Sequence, residues 1–243
     1  PDPARVAPVH TGCVQVVHGL CTPRAACNVA PDACINANQK GRDMYSAAIT
    51  GSGVFTPEHS ITNDELVVAF NAHADLFNAK NADAIAAGIM AAKPHSSSEF
   101  IFAASGIERR YVLDKAGVLD PTRMYPKLPD RSDDDPSLMA EMAVDAALQA
   151  MAQAGKSADD IDAVICAASN HERAYPAIAV AIQNLIAIDG FAFDMNVACS
   201  SATFGIQMAA DMIKSGSISS ALVVCPEICS AHLEWRDRDC HFI

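Results

Sequence analysis

The residue whose type and position best suit chemistry is Cys199, in the segment 194–205. Apolar residues recur at helical spacing after it, and Lys214 followed by Gly216 marks the end of that pattern. The spacing therefore predicts a helix over residues 199–215 that begins at or just after Cys199. Unpaired amides and the positive end of the helix dipole favour a thiolate there, and the thiolate is the nucleophilic form of cysteine. The same amides suit the oxyanion of an acyl-transfer intermediate.

The alternative for Cys199 is a structural role, because a free cysteine is often buried and packs as a small apolar side chain. The residues that follow it favour chemistry instead. Ser200, Ser201, Ala202 and Gly205 are all small, and they leave room for a substrate beside the sulfur. We therefore predict that Cys199 is a nucleophile.

Composition excludes several classes of function. The 243 residues carry a formal net charge of −12, and 51% of them are hydrophobic, which allows one large domain or two small ones. The acidic balance argues against nucleic-acid or anionic-membrane binding, since both need clustered Lys and Arg. The chain has no apolar run long enough to span a membrane and no signal-peptide pattern at its start. We expect a cytoplasmic protein.

The nine cysteines form no CxxC pair. Cys225 and Cys229 are four residues apart, without a second close pair or histidines at ligand spacing. We therefore expect no metal site, and reduced thiols that are mostly structural.

The first 43 residues differ from the rest of the chain. They hold four of the nine cysteines and show neither helical nor strand periodicity. We interpret residues 1–43 as a disordered leader that is either translated upstream sequence or an artefact, with Met44 as the natural start. The alternative is a disordered or metal-binding extension.

From Tyr45 onward, short apolar segments alternate with helical periodicity. Strands are predicted over 45–51, 110–113, 161–168, 191–195 and 221–225, and helices over 62–90, from 98, and over 138–155, 178–188 and 199–215. This alternation predicts an α/β domain with a largely parallel sheet. The first strand is predicted to enter a glycine turn at Gly51-Ser52-Gly53. This turn lacks the further glycine of a dinucleotide-binding loop, so we expect no dinucleotide site.

Several motifs occur in the order in which one family of enzymes carries them. They are Ile49-Thr50-Gly51-Ser52-Gly53, Ser105-Gly106-Ile107-Glu108-Arg109-Arg110-Tyr111, Tyr175-Pro176-Ala177, Asn196-Val197-Ala198-Cys199-Ser200-Ser201 and Asp237-Arg238. With these motifs, residues 44–243 resemble the 3-oxoacyl-[acyl-carrier-protein] synthase III branch of the thiolase-fold condensing enzymes. The resemblance implies a thiolase-like fold with layers α-β-α-β-α, of which this chain carries the N-terminal half.

The resemblance implies an acyltransferase that works without a cofactor. Cys199 would accept an acyl group from acyl-CoA, and malonyl-ACP would lose CO2 and attack that thioester to give 3-oxoacyl-ACP in fatty acid biosynthesis. The implied partners are acyl carrier protein and, when the protein is full length, a second copy of the chain. Two alternatives stay open: a thiolase or 3-hydroxy-3-methylglutaryl-CoA synthase, and a non-catalytic partner subunit that shapes another enzyme's pocket.

The resemblance also implies residues that bind CoA. Arg238 matches the position that meets the nucleotide end of CoA in the family, although an ion pair with Asp237 or Glu234 is an equal alternative. Phe100 stands where relatives often carry a tryptophan that stacks on adenine, and Ala104 stands where many carry an arginine. These two departures argue against ordinary acetyl-CoA as the primer.

Tyr175 corresponds to an aromatic residue that reaches across a two-fold interface into the partner's acyl pocket. The alternative is a turn aromatic held by Pro176. The stretch from Phe70 to His95 is longer than in typical relatives, and we interpret this as a subgroup that uses a longer, medium-chain primer.

The catalytic histidine and asparagine of the family would lie beyond Ile243, so neither is assigned. His232 and His241 precede that region, and we interpret both as structural or surface residues. We interpret the chain as a fragment, which by itself would expose apolar surface and lack condensing activity.

Overall fold

The computed structural model describes Val6–Ala7, Gly12–Leu20, and residues 46–132 and 134–242. It has two compact units. Unit 1 comprises Pro1–Thr11, Phe55–Pro136 and Glu227–Ile243, and unit 2 comprises Gly12–Val54 and Ser137–Pro226. No helix among the described residues is both long enough and apolar enough to cross a membrane.

Strands and helices alternate through most of the described chain. The strands are β1 (Val6–Ala7), β2 (Gly12–Leu20), β3 (Ser46–Phe55), β4 (His59–Thr62), β5 (Arg109–Val112), β6 (Ala163–Ala167), β7 (Phe191–Met195) and β8 (Ser220–Cys225). The helices are α1 (Asn63–Lys80), α2 (Ala82–Ala86), α3 (Ser98–Ser105), α4 (Lys115–Leu119), α5 (Leu138–Ala154), α6 (Ile178–Ile186) and α7 (Ser201–Lys214). Short 3-10 turns cover Ala158–Asp160, Cys229–Ala231 and Arg238–Phe242.

Unit 2 is built on a sheet with the strand order β3-β2-β8-β6-β7. Strand β6 runs parallel to both β7 and β8, which confirms the predicted parallel sheet at this end, whereas β2 runs antiparallel to β8. Ile165 and Val223 pack with Ala209 and Ile213 of α7 in one apolar core. Asp194 of β7 accepts hydrogen bonds from the amides of Ile178 and Ala179, the first residues of α6. Because strand residues alternate between faces, Asp194 points away from the face that α7 covers, and α6 lies on the opposite face of the sheet.

The glycines of β3 serve a close approach to α5. A Cβ atom on Gly51 would lie 2.0 Å from the carbonyl oxygen of Ala150, and one on Gly53 would lie 2.0 Å from that of Ala146. Any side chain at either position would clash with the helix backbone. The predicted glycine turn after residue 51 is therefore wrong: the strand continues to Phe55, and the glycines allow it to contact α5.

Unit 1 contains a smaller sheet with the order β1-β5-β4. Strand β5 pairs parallel to β1 and antiparallel to β4. Helix α1 begins with the predicted capping box, in which Thr62 and Glu65 each bond the other's backbone amide. Its apolar face packs around Trp235, which is fully buried with Phe70 and Leu66.

The segment after α2 returns along α1 and is fastened to it by two asparagines. Asn71 accepts from the amide of Ser96 at 2.8 Å and donates to its carbonyl at 3.1 Å. Asn78 makes the same reciprocal pair with Lys93, at 2.8 and 3.0 Å. Seven helical residues span about 10.5 Å, and three extended residues span about 10 Å, so both pairs fit at once. We call residues 93–96 the return segment.

Two elements differ from the sequence predictions. The helix predicted to run to about Met90 breaks at Asn81, whose side-chain amide donates to the carbonyl of Phe77 and competes with the helical pattern. Within residues 1–43, where no regular element was predicted, the structure has β1 and β2. The run Val14-Gln15-Val16-Val17 explains β2, because β-branched residues favour strands. The other residues of that leader lie outside the described ones.

Candidate active site

Cys199 lies in a tight turn between β7 and α7, and it is exposed. The helix begins at Ser201, two residues after the sulfur, with Ser200 as its N-cap. The predicted position just before a helix N-terminus is therefore confirmed, and the thiol is not buried in this structure. An exposed thiol at this end of a helix is accessible to a substrate and close to the positive end of the helix dipole.

The turn holds its backbone in an unusual conformation at Ala198. The φ angle of Ala198 is 48°, in the left-handed region that favours glycine over residues with a Cβ. Such conformations cost roughly 1 to 3 kcal/mol and persist only where neighbouring contacts enforce them. Because Ala198 directly precedes Cys199, this conformation sets the direction in which the sulfur points.

Two polar side chains enforce that conformation. The side-chain oxygen of Asn196 accepts from the amide of Ala198 at 2.9 Å. The buried hydroxyl of Ser201 accepts from the amide of Val197 at 2.8 Å and donates to the carbonyl of Ala198 at 2.8 Å. Together they bond the groups on both sides of the strained residue, so the turn is fixed before any substrate binds.

Two of the four small residues after Cys199 have a different role from the one predicted. A Cβ atom on Gly205 would lie 2.9 Å from the Cβ of Ala167 and 3.0 Å from a methyl group of Val223. Gly205 therefore allows α7 to approach the sheet, and it does not open a pocket. Ser201 is also buried, in the turn itself. Of the four small residues, these two are explained by packing and turn geometry.

The loop after β6 is bonded to the Cys199 turn. The side-chain amide of Asn196 donates to the carbonyl of Ser169 at 2.7 Å, which joins the two segments. The same loop carries Tyr175, whose surface is 89% exposed. An aromatic residue exposed to this degree is free to contact another molecule, and its role in an interface stays a prediction.

Unit 1 brings Arg238 and Phe100 together. The guanidinium carbon of Arg238 lies 4.3 Å from the centre of the Phe100 ring, and Phe242 packs edge-on against that ring at 5.7 Å. The ion pair with Glu234 is not formed, because Glu234 is bonded to Arg236 at 2.7 and 2.8 Å. The Nε atom of Arg238 lies 3.8 Å from a carboxylate oxygen of Asp239. Whether Arg238 binds CoA stays a prediction.

The two histidines after Cys199 have the structural and surface positions predicted for them. His232 is exposed. His241 is buried, with its ring nitrogen 2.8 Å from the carbonyl oxygen of Trp235 and its ring edge-on to Phe70 at 4.7 Å. Burial lowers the pKa of His241, and the nearby Arg110 guanidinium lowers it further, although the bond to Trp235 opposes the shift.

Two sets of residues were not predicted: the side chains that hold the turn, and a cluster of possible metal ligands. Asn196 and Ser201 flank Cys199 in the sequence, and polar residues at both ends of a turn are a signal of side-chain caps. The cluster consists of Cys166, His171 and Asp194. Its spacing in the chain gives no signal, because strand pairing brings two of its members together.

Comparisons with known proteins agree on one family. The sequence profile of 3-oxoacyl-[acyl-carrier-protein (ACP)] synthase III matches residues 193–243, which include Cys199 and Arg238. A beta-ketodecanoyl-[acyl-carrier-protein] synthase of Pseudomonas aeruginosa is 55% identical over 175 residues, 72% of this chain and 50% of the relative. A beta-ketoacyl-[acyl-carrier-protein] synthase III of Granulibacter bethesdensis is 33% identical over 80% of this chain and 47% of that protein.

A solved structure supports the fold. The 3-oxoacyl-[acyl-carrier-protein] synthase III of Aquifex aeolicus matches with a TM-score of 0.56 and 23% identity, over 78% of this chain and 47% of that one. The predicted thiolase-like α/β fold is confirmed. This chain spans about half the length of the curated relatives it matches. In sequence and in fold, it resembles the 3-oxoacyl-[acyl-carrier-protein] synthase III branch of the thiolase-fold enzymes over that half.

Proposed function

We propose that this chain carries the nucleophile of an acyltransferase that extends an acyl-CoA primer by decarboxylative condensation. The observation that supports it most directly is the exposed Cys199 in a strained turn at the start of α7. Splitting the transfer into two steps through a covalent thioester makes each step easier.

In the first step, the sulfur of Cys199 attacks the thioester carbonyl of acyl-CoA, and CoA leaves as a thiol with the proton from Cys199. The negative charge that develops on the carbonyl oxygen would be stabilised by backbone amides at the start of α7. In the second step, malonyl-ACP loses CO2, and the resulting carbanion attacks the acyl thioester. The Cys199 sulfur leaves and regains a proton, and the product is 3-oxoacyl-ACP with two added carbons.

Arg238 and Phe100 would bind the nucleotide end of CoA. A guanidinium group offers paired donors to phosphate, and an aromatic ring offers a face to adenine. Their contact at 4.3 Å supports a shared role. Tyr175 would contact the acyl chain across an interface between two copies of the protein.

The primer would be a medium-chain acyl-CoA. The Pseudomonas aeruginosa relative is named for a ketodecanoyl product, and a condensation that adds two carbons to an octanoyl primer gives that product. The 55% identity to that relative supports the same primer here. An enzyme with acyl-CoA and acyl carrier protein as its substrates would work in the cytoplasm, and it would need no resident cofactor.

Intact-protein mass spectrometry tests the first step. Incubation with octanoyl-CoA should add one octanoyl group, and a peptide map should place it on Cys199. Cys199→Ala should stay unmodified, whereas Cys229→Ala should react like the parent. Release of labelled CO2 from malonyl-ACP, measured with a protein that spans the full length of the relatives, then separates condensation from thiolase chemistry. An adduct elsewhere, or none with any acyl-CoA, would contradict the nucleophile, and an adduct without CO2 release would contradict the condensation.

A further inference from the structure

We propose that Cys166, His171 and Asp194 bind a divalent transition-metal ion such as Zn²⁺. The sulfur, the ring nitrogen and a carboxylate oxygen all lie within 4.8 Å of one another. Thiolate, imidazole and carboxylate are the ligands that zinc takes in proteins. The cluster includes no residue assigned to acyl transfer, so the proposal does not depend on the proposed function.

Two of the three ligands are placed by the sheet itself. Cys166 and Asp194 are direct partners on the parallel strands β6 and β7. Paired residues on neighbouring strands point to the same face, so their side chains lie side by side. Ligands on strands are held more accurately than ligands on loops. His171 comes from the loop after β6 and completes the set.

The distance between His171 and Asp194 fits a shared ion better than a hydrogen bond. The His171 Nε2 atom is 3.8 Å from the Asp194 carboxylate oxygen, and that nitrogen is buried without a hydrogen-bond partner. Two ligand atoms of a tetrahedral zinc ion are about 3.3 to 3.6 Å apart, given the usual bond lengths. A contraction of at most about 1.5 Å across the cluster would therefore form the site.

The surroundings of Asp194 orient it as a ligand. Its two oxygens accept from the amides of Ile178 and Ala179 at 2.9 and 2.8 Å, and each oxygen retains a second lone pair. Hydrogen bonds of this kind hold metal-binding carboxylates in place. The side chains of His171 and Asp194 are 15% and 19% exposed, so an ion can enter. Binding replaces the thiol proton of Cys166, which leaves to solvent.

A bound ion would join β6 and β7 to the loop that is bonded to the Cys199 turn. Three protein ligands leave one tetrahedral position for water. The competing arrangement has no ion: His171 moves by about 1 Å and donates directly to Asp194, as the ordinary hydrogen-bond length requires.

Titration with Co²⁺ distinguishes the two arrangements, because a cobalt–thiolate bond gives a near-ultraviolet charge-transfer band. The parent for this experiment is Cys199→Ala, which removes the exposed thiol. It should bind one Co²⁺, competed by Zn²⁺, and show that band. Cys166→Ala should abolish the band. His171→Gln, a change in the loop that leaves the sheet intact, should weaken binding at least about tenfold.

Cys225→Ala is the matched control, since it removes a thiol from the neighbouring strand β8 outside the cluster, and it should leave the titration unchanged. A band that persists in Cys166→Ala would assign the ion to another cysteine and overturn the proposal. The absence of binding to the parent, or equal affinity in His171→Gln, would overturn it as well and leave the direct hydrogen bond.

Discussion

The guanidinium group of Arg238 stacks on the ring of Phe100, with 4.3 Å between the guanidinium carbon and the ring centre. Both residues were predicted to contact the nucleotide end of CoA, and the structure brings them into direct contact in unit 1. An adenine ring that binds at this place must share the Phe100 face with Arg238 or take its position.

We expect Arg238→Ala to weaken the binding of CoA about 2- to 10-fold, because a cation on an aromatic or phosphate partner contributes roughly 0.5 to 1.4 kcal/mol at a partly exposed site. Phe100→Trp should strengthen binding by a similar factor, since indole offers the larger stacking face. Isothermal titration calorimetry with CoA measures both. Arg236→Ala is the control, because its guanidinium is already bonded to Glu234. Equal losses in Arg236→Ala and Arg238→Ala would contradict the assignment.

His241 should make stability depend on pH. Burial lowers its pKa in the folded state below the usual 6.5, so protonation favours the unfolded chain. Its stabilising contribution is present above pH 6.5 and is lost as pH falls below that value toward the lower pKa of the folded state. Urea unfolding at pH 7.5 and 5.5 measures this, with a slope of at most about 1.4 kcal/mol per pH unit from one group.

His241→Gln removes the titrating ring, so its free energy of unfolding should change less between the two pH values. His232→Gln serves as the control, because His232 is exposed and its removal should preserve the dependence of the parent. Identical slopes in the parent and His241→Gln would show that other groups cause the effect.

Two helices in unit 2 are followed by a residue in the left-handed conformation, which is alanine in one case and glycine in the other. Exchanging these two residue types should change the free energy of unfolding in opposite directions. Helix α6 ends on Ala187 with φ 62°, and α5 ends on Gly155 with φ 63°. Ala187→Gly should raise the free energy of unfolding by about 1 kcal/mol, because glycine adopts this conformation without strain. Gly155→Ala should lower it by about the same amount, since a Cβ there meets no other atom and only the backbone conformation matters. Thermal and urea unfolding check both, and shifts of the same sign would refute the explanation.

The outer face of α7 should bind a hydrophobic dye. Phe204 and Met208 lie one turn apart on this helix and are 52% and 40% exposed. Contiguous exposed apolar surface is where a hydrophobic dye binds. We expect the 243-residue chain to enhance the fluorescence of such a dye, and Phe204→Gln with Met208→Gln to reduce the signal. Val68→Gln, which changes a single exposed residue of α1, should not. An unchanged signal in the double variant would place the binding elsewhere.

The local features of the site were predictable from the sequence. The apolar run before Cys199 and the helical spacing after it predict a strand, a turn and a helix, and the structure has all three. The capping box at Thr62 and Glu65 was also correct, because caps are encoded within four residues. Patterns of this length carry enough information by themselves.

Features that depend on pairing across the sheet were not predictable. Gly51 and Gly53 looked like a turn because a glycine that allows a helix to approach and a glycine that bends the chain have the same sequence signal. Cys166 and Asp194 are 28 residues apart, and only the register of β6 and β7 makes them neighbours. The return segment was not predicted for a similar reason. Asn71 and Asn78 are seven residues apart in a helix, whereas their partners Ser96 and Lys93 are three residues apart in an extended segment, and no sequence pattern links the two spacings.

The pairing of α1 with the return segment limits how these two segments can change length during evolution. Asn71 and Asn78 bond Ser96 and Lys93, so seven helical residues are matched by three extended ones. An insertion on one side alone would leave a partly buried amide pair unmatched. Homologous proteins that keep this arrangement should therefore gain or lose residues here in steps of about ten, seven in the helix and three in the segment that runs back, as the two rises per residue dictate.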